Sequence, residues 1–281
     1  MKAWITLLTQ TDYLAGVRTL HHALRQTQTR YPLVIMVTEN IPAAVAAELT
    51  AAGCEVVLVP PLSLPQEATQ HYASARFAEV WTKLRAWQFT DFERVVFLDA
   101  DMLVRENIDE LMEIALPENG IAACHACRCN PHRIASYPDN WRPENCFYHW
   151  QDRQQPPPAQ LEPYFNSGML VLEPHVGVLH QLEQRIAAIR DFARYPFPEQ
   201  DLLNEFFRGR WRQLPFIYNA LKTLPVQHSQ TWRSDQAKII HYILDKPWQR
   251  DGQRVPPQDD PYYPLDKLWL EAAQRAQAVK N

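Results

Sequence analysis

Arg94-Val95-Val96-Phe97-Leu98-Asp99-Ala100-Asp101 is the stretch on which the reading of the fold turns. An unbroken apolar run of this length, flanked by no alternation of polar residues, predicts a strand buried on both faces. Such strands belong to parallel sheets covered by helices on each side, and ligands of those sheets bind beyond the carboxyl ends of the strands. The run stops on two aspartates. In extended chain, residues two apart project to the same side, so Asp99 and Asp101 can offer an oxygen-rich site to a hard divalent cation. A cation there would neutralise a departing pyrophosphate. The competing reading, two solvated aspartates capping the next turn, stays open on this motif alone.

Working outward, the first half alternates strand and helix signals. Trp4 to Leu8 predicts a strand, Thr11 and Asp12 are candidate N-caps, and Leu14, Val17, Leu20 and Leu24 recur at helical spacing. Leu33 to Val37 predicts a buried strand, Ala43 to Ala52 a helix ending at Gly53, and Glu55 to Val59 a third strand. Phe77, Val80, Trp81, Leu84 and Trp87 predict the helix before Arg94. Beyond the aspartates, residues 130–163 are rich in Pro, Trp, Asn and Gln without periodicity, which marks an insertion. A strand over Gly168 to Leu172 follows, then a helix through Val178, Leu182, Ile186 and Ile189. Leu202 to Phe207 predicts a short helix, Lys238 to Ile243 a strand, and Leu265 to Val279 a terminal helix. The fold class is therefore α/β, a mostly parallel central sheet flanked by helices. One domain over residues 1–281, with the insertion at about 130–163 and the C-terminal helix at about 265–280, is the simplest division.

Composition narrows the function. The 281 residues are 46% hydrophobic and 21% charged, ordinary for a globular chain, and the net charge of −4 gives no case for nucleic acid or anionic membrane as partner. Any bound polyanion must be handled locally. Glycine is scarce at 7 and proline abundant at 23, and neither the dinucleotide nor the P-loop glycine fingerprint occurs. No apolar run approaches the roughly 18 residues of a membrane span, and Met1 to Thr9 lacks the basic region and cleavage site of a signal peptide. Five cysteines, an odd number, fit a reducing compartment, read here as cytoplasmic.

Several residues could join the aspartates. His241 lies in a strand-like run; as a ligand it completes a mixed oxygen and nitrogen set that suits manganese, and as a core residue it does nothing. Lys246 stands five residues on, in reach of a phosphate near that metal, or is an ordinary lysine. Lys83 and Arg76, before RVVFL, either approach a donor at the sheet edge or snorkel to solvent. Asn166 and Ser167 read as sugar-binding polar groups or as a turn before a strand. Glu199, Gln200 and Asp201 open a helix, where acidic residues are expected for dipole reasons anyway. Cys124, Cys127 and Cys129, with Cys146 and His149 further on, invite zinc, but C-x-x-C-x-C lacks paired knuckles, and buried free thiols are the favoured reading.

Taken in order, the segments ITLLTQTDYLAG (5–16), WTKLRAW (81–87), RVVFLDADMLVRENIDEL (94–111), FNSGMLVLEP (165–174), EQDLLNEFF (199–207), LPFIYNALK (214–222) and KIIHYILDKPW (238–248) resemble glycosyltransferase family 8, which includes glycogenins and galactinol synthases. The resemblance implies a GT-A fold with a Rossmann-like nucleotide-sugar-binding core, a UDP-sugar donor, and transfer of a hexose with retention of configuration. It further implies manganese (Mn2+), with magnesium (Mg2+) as a substitute. Leu7, Thr9, Gln10 and Tyr13 would hold the uridine and Ala100 the ribose side. Asp99, Asp101 and His241 would ligate the metal, and Lys246 would meet the donor phosphates. Arg76, Lys83, Asn166, Ser167, Glu199 and Gln200 would contact the donor, with Lys83, Gln200 and Asp201 carried as catalytic residues. The acceptor would be a carbohydrate, a polyol or another hydroxyl compound, and a homo-oligomer is compatible. Two departures from the family pattern stand out. The spacer from His241 to Lys246 is short, with Leu244 where glycogenin-like chains carry a glycine. No tyrosine lies between Tyr218 and Tyr242, so self-glucosylation is not expected. Two rival readings remain: a haloacid dehalogenase-type phosphatase, whose pattern Leu103 and the proline-flanked Asp259-Asp260 do not match, and an inactive nucleotide-sugar-binding protein.

Overall fold

The computed structural model describes residues 1–62, 64, 79–249 and 259–278. Its centre is a seven-stranded sheet built on β1 (Lys2–Leu8), β2 (Leu33–Val37), β3 (Glu55–Leu58) and β4 (Arg94–Leu98). These four run parallel in the order β3-β2-β1-β4. After a short β5 (Met102–Val104) and β6 (Ile121–His125), the chain returns as β7 (Phe165–Leu172), antiparallel between β4 and β6. β8 (Trp211–Leu214) closes the far edge parallel to β6. A small second sheet joins β5 to β10 (Ile239–His241) and β9 (Ala220–Leu221).

The apolar runs are continuous because both sheet faces are covered. Along β4, Val96 and Leu98 enter one core with Trp4, Leu8, Ile35 and Val37. That face is roofed by α1 (Leu14–Gln26), α2 (Ala43–Ala51) and α7 (Tyr263–Ala278). Val95 and Phe97 enter the opposite core with Ala3, Ile5 and Val34, beneath α4 (Val176–Ala188) and α5 (Pro198–Phe206). This strict alternation is the period of two that an extended chain imposes.

Local details differ from the sequence expectations for physical reasons. Neither Thr11 nor Asp12 caps α1: Thr11–Tyr13 forms a 3-10 turn first, and the helix starts from Tyr13 without a side-chain cap. The segment Val80–Gln88 winds as 3-10 turns, which keep Trp81, Leu84 and Trp87 buried on one side at the i, i+3 spacing of that tighter helix. Phe77 lies outside the described residues. Phe165-Asn166-Ser167 is part of β7 rather than a turn before it. α5 begins at Pro198, whose fixed φ and missing N–H suit the first helical position. The 130–163 stretch contains a 3-10 turn at Pro143–Asn145 and α3 (Phe147–Asp152). No helix among the described residues is long and apolar enough to cross a membrane.

Leu182 of α4 is fully buried against the second core. Leu182→Ala should cost about 2–5 kcal/mol, since the lost transfer free energy is joined by a cavity that the sheet cannot collapse to fill. Urea unfolding checks this: the midpoint should fall with the slope unchanged.

Candidate active site

The turn after β4 brings the sequence-distant ligand candidates together. The Asp99 amide extends the β4–β7 contact by donating to Gly168 O at 2.8 Å, and the Met102 amide closes the turn on Asp99 O at 3.2 Å. The chain then enters β5, where Met102 pairs directly with His241 of β10. The Tyr242 amide donates to Asp101 O at 2.9 Å. His241 Nε2 consequently stands 3.3 Å from Asp101 Oδ1 and 3.9 Å from Asp99 Oδ2. The three donor atoms lie within 4.8 Å of one another.

Each aspartate shares its other oxygen with a lysine. Lys83 Nζ sits 2.9 Å from Asp99 Oδ1 and 3.1 Å from Glu199 Oε1, donates to Ser167 O, and lies over the Phe97 ring. Lys246 Nζ donates to Asp101 Oδ2 and, at 2.8 Å, to Tyr242 O. Burial disfavours the Lys83 charge, but Asp99 and Glu199 more than compensate and hold its pKa above the ordinary lysine value. Burial also opposes the charge on Asp101, yet Lys246 and His241 depress its pKa below the usual carboxylate range. Asp99 is raised, first by burial and then by the neighbouring Asp101 charge, against the pull of Lys83.

These residues fit a divalent cation. His241 Nδ1 is 2.9 Å from Asn219 Oδ1, while Asn219 Nδ2 donates to Asn166 Oδ1 at 2.8 Å. Asn219 therefore accepts from Nδ1–H, and Nε2 is the ring nitrogen turned to the two carboxylate oxygens. A divalent cation between these three donor atoms would have two carboxylate oxygens and one imidazole nitrogen as ligands, a mixed oxygen and nitrogen set. Asn219 was not singled out in the sequence, because no spacing rule links it to His241's ring.

The cleft in front, about 160 Å³, is lined by Leu7 of β1 with Thr9, Gln10 and Tyr13 from the turn that follows it, by Lys83, Asp99, Ala100 and Asp101, and by Glu199. Glu79, another residue missed in the sequence, accepts from Gln10 Nε2 at 3.0 Å. Arg76 lies outside the described residues. Asn166, Ser167 and Gln200 line a small adjoining cavity that also touches Asp99. Gln200 Oε1 accepts from the Ser167 amide and Asn166 Nδ2, and its Nε2 donates to Tyr164 OH. Asn166 and Gln200 also border a third cavity, of about 180 Å³, walled by Tyr137, Trp141, Phe197 and Leu244. Leu244 adopts φ 65, the left-handed region that favours glycine, in the turn that carries Lys246 back to Asp101. Asp201 is not brought to the cleft. Its carboxylate accepts from Tyr164 OH at 2.6 Å and from the Phe197 amide at 2.7 Å, anchoring the start of α5.

The cysteine-rich segment also resolves into two parts. Cys124 is buried apart, donating to Pro215 O. Cys127, Cys129 and Cys146 converge instead on His228, not on His149.

Comparison with known proteins agrees with this geometry. The family model described as glycosyl transferase family 8 matches residues 4–252. Galactinol synthase 3 of Arabidopsis thaliana is 32% identical over 90% of this chain and 75% of its own length. Galactinol synthase 1 of Solanum lycopersicum is 31% identical over 96% and 80%. Among solved structures, the galactosyltransferase LgtC in complex with donor and acceptor sugar analogs superposes with a TM-score of 0.65 at 17% identity, covering 98% of this chain and 96% of that one. The glycosyltransferase GlyE of Streptococcus pneumoniae gives 0.63 at 17%, covering 97% and 61%. The fold is GT-A.

Two predictions follow from the packing and charge of the site. A Cβ at Gly168 would stand 2.4 Å from His241 Cε1 and 2.9 Å from Asp99 Oδ2. Gly168→Ala should therefore weaken binding of a divalent cation roughly tenfold or more, because it displaces two donors at once; titration of the manganese-dependent rise in Tm reads this. Burial raises the Asp201 pKa to about 6 despite the Tyr164 and Phe197 bonds. The folded state thus keeps a proton that the unfolded chain, with its ordinary value of about 3.9, releases. Stability contributed by this group falls as pH rises from about 4 to about 6. Relative to wild type, the Tm of Asp201→Asn should rise across that window and level off above it.

Proposed function

The chain belongs to glycosyltransferase family 8, and from that membership we propose a retaining hexosyltransferase that moves a hexose from a UDP-sugar to a hydroxyl acceptor with the help of a divalent cation. The observation that carries this reading is the meeting of Asp99, Asp101 and His241 at the mouth of a cleft whose other wall is Leu7, Thr9, Gln10 and Tyr13. A cation held by those three side chains, manganese or magnesium, would supply charge neutralisation for the donor's diphosphate as it leaves.

The chain's own groups have separable tasks in this proposal. Tyr13 and the end of β1 hold the base, and Ala100 backs the ribose. Lys246, now on Asp101, turns to the phosphate oxygens when the donor enters. Lys83 stays charged between Asp99 and Glu199 and donates to the donor from the cleft floor. Gln200 and Asn166 face both adjoining cavities, which supports a position between transferred sugar and acceptor. Asp201 acts as a positioning residue through Tyr164, which binds Gln200. No carboxylate in the group is assigned as a nucleophile; front-face attack, with the departing phosphate taking the acceptor's proton, is the route proposed. The acceptor occupies the aromatic-walled cavity beside Tyr137 and Trp141, where apolar sugar or polyol faces can stack. The relatives' name, galactinol synthase, supports galactose as the hexose. Residues 1–281 are taken to work as one catalytic unit, and the free thiols support a reducing, cytoplasmic setting.

A thermal-shift panel of UDP-glucose, UDP-galactose and UDP-N-acetylglucosamine, each with and without manganese, tests donor and metal together, because a ligand of the folded state raises Tm. UDP-galactose with manganese should give the largest rise. Asp101→Asn should lower UDP release at least about a hundredfold, the scale of losing one preorganised electrostatic partner. Unchanged UDP release in that variant, or magnesium-dependent phosphate-ester turnover without nucleotide-sugar cleavage, would overturn the proposal.

A further inference from the structure

Far along the chain from the aspartates, three thiols and one imidazole close on a single point. Cys127 and Cys129 follow β6, Cys146 immediately precedes α3, and His228 follows α6 (Leu224–Gln227). Their sulfurs stand 3.3, 3.4 and 3.6 Å from His228 Nε2, in the order Cys127, Cys129, Cys146. Cys127 and Cys146 are 4.0 Å apart, about twice a bonded disulfide length of about 2.0 Å, so they are separate thiols. All four donor atoms lie within 4.8 Å of each other.

The imidazole is oriented from behind. His228 Nδ1 is 2.9 Å from Asp152 Oδ2, and Asp152 Oδ1 is itself fixed by the Thr231 amide and hydroxyl, both at 2.7 Å. A carboxylate at Nδ1 puts the proton there and leaves the Nε2 lone pair directed at the sulfurs. His228 as a whole is 1% exposed.

We propose that Cys127, Cys129, Cys146 and His228 form a structural zinc site, with Asp152 as its outer carboxylate. Zinc bonds of about 2.3 Å to sulfur and about 2.0 Å to nitrogen, in a tetrahedron, require sulfur–sulfur separations of about 3.8 Å and sulfur–nitrogen separations of about 3.5 Å. The sulfur–nitrogen spacings of 3.3–3.6 Å bracket the second requirement, and the 4.0 Å between Cys127 and Cys146 is close to the first. Three thiolates and one imidazole select a soft to borderline cation over manganese or magnesium, which prefer oxygen. Four protein ligands close the shell, which is the form of structural rather than catalytic zinc. On binding, each thiol gives its proton to solvent as its sulfur lone pair bonds the metal.

The site ties three segments, two of which are already joined by the Asp152–Thr231 bonds. It joins the strand-end residues 127–129, the α3 segment 146–152 and the turn 228–231, and so pins both ends of the proline-rich stretch containing Tyr137 and Trp141. On the proposed reading of the aromatic cavity as the acceptor site, the metal sets the wall against which the acceptor stacks. Zinc content itself does not depend on that reading.

Metal analysis of the full-length protein, grown with zinc and dialysed against a mild chelator, is the test. About one zinc per chain should remain in wild type and in an Asp99→Asn/Asp101→Asn variant, and less than about a tenth in Cys127→Ser/Cys146→Ser. Asp152→Asn should lose zinc to a chelator about 10–100 times more readily. Should the double cysteine variant not fold, cobalt exchanged into wild type gives an independent answer: thiolate-to-cobalt charge-transfer absorption with the visible bands of a tetrahedral ion. Zinc absent from wild type together with no such absorption would overturn the site. So would zinc retained without Cys127 and Cys146, or a Cys127–Cys146 disulfide found by alkylation and mass analysis.

Discussion

Two carboxylates at the end of one buried strand repel each other, and most of what surrounds them answers that repulsion. Asp99, Asp101 and Glu199 face Lys83 and Lys246, leaving one negative charge if His241 is neutral. Each lysine engages one oxygen of its aspartate and leaves the second oxygen turned to His241. At low effective dielectric, such charges are tolerable only in a network of this kind, since each ion alone would be costly to bury. The group is therefore poised to accept a dication together with an anionic ligand while its own net charge changes little.

Topology supplies the geometry that this balance needs. β7 runs antiparallel beside β4, so the open end of β4 meets the start of β7, and Gly168 lets the two backbones and the His241 ring share one small volume. A second glycine does the same for the opposite wall: a Cβ at Gly16 would lie 2.4 Å from Ala100 O. The α1 backbone can thus press against the turn between the two aspartates, and the cleft floor is held by main chain rather than by mobile side chains.

Much of this was legible in the sequence. The bounds read for β2 and β4 are those of the structure, because both runs are buried on two faces and leave no ambiguity of register. β5 and β6 were not read: Met102–Val104 is too short to show a period, and Ile-Ala-Ala-Cys-His is too poor in branched residues to look like a strand. The aspartates, His241 and both lysines could be named because each sits inside a motif with local character. Asn219 and His228 could not, since their partners lie 22 and 76–101 residues away, and only the folded chain measures that separation. The same limit explains why His149, nearer in sequence, looked a better companion for the cysteines than His228.

Leu244 shows how a short loop can couple two tasks. A branched side chain in the left-handed region costs roughly 1–2 kcal/mol that glycine would not incur. In return, its side chain forms part of the aromatic-walled cavity while its backbone sets the turn that returns Lys246 to Asp101. One residue is thus shared between the wall of one cavity and the reach of the lysine at the other. An exchange at position 244 therefore alters the wall of the one and the turn that serves the other together.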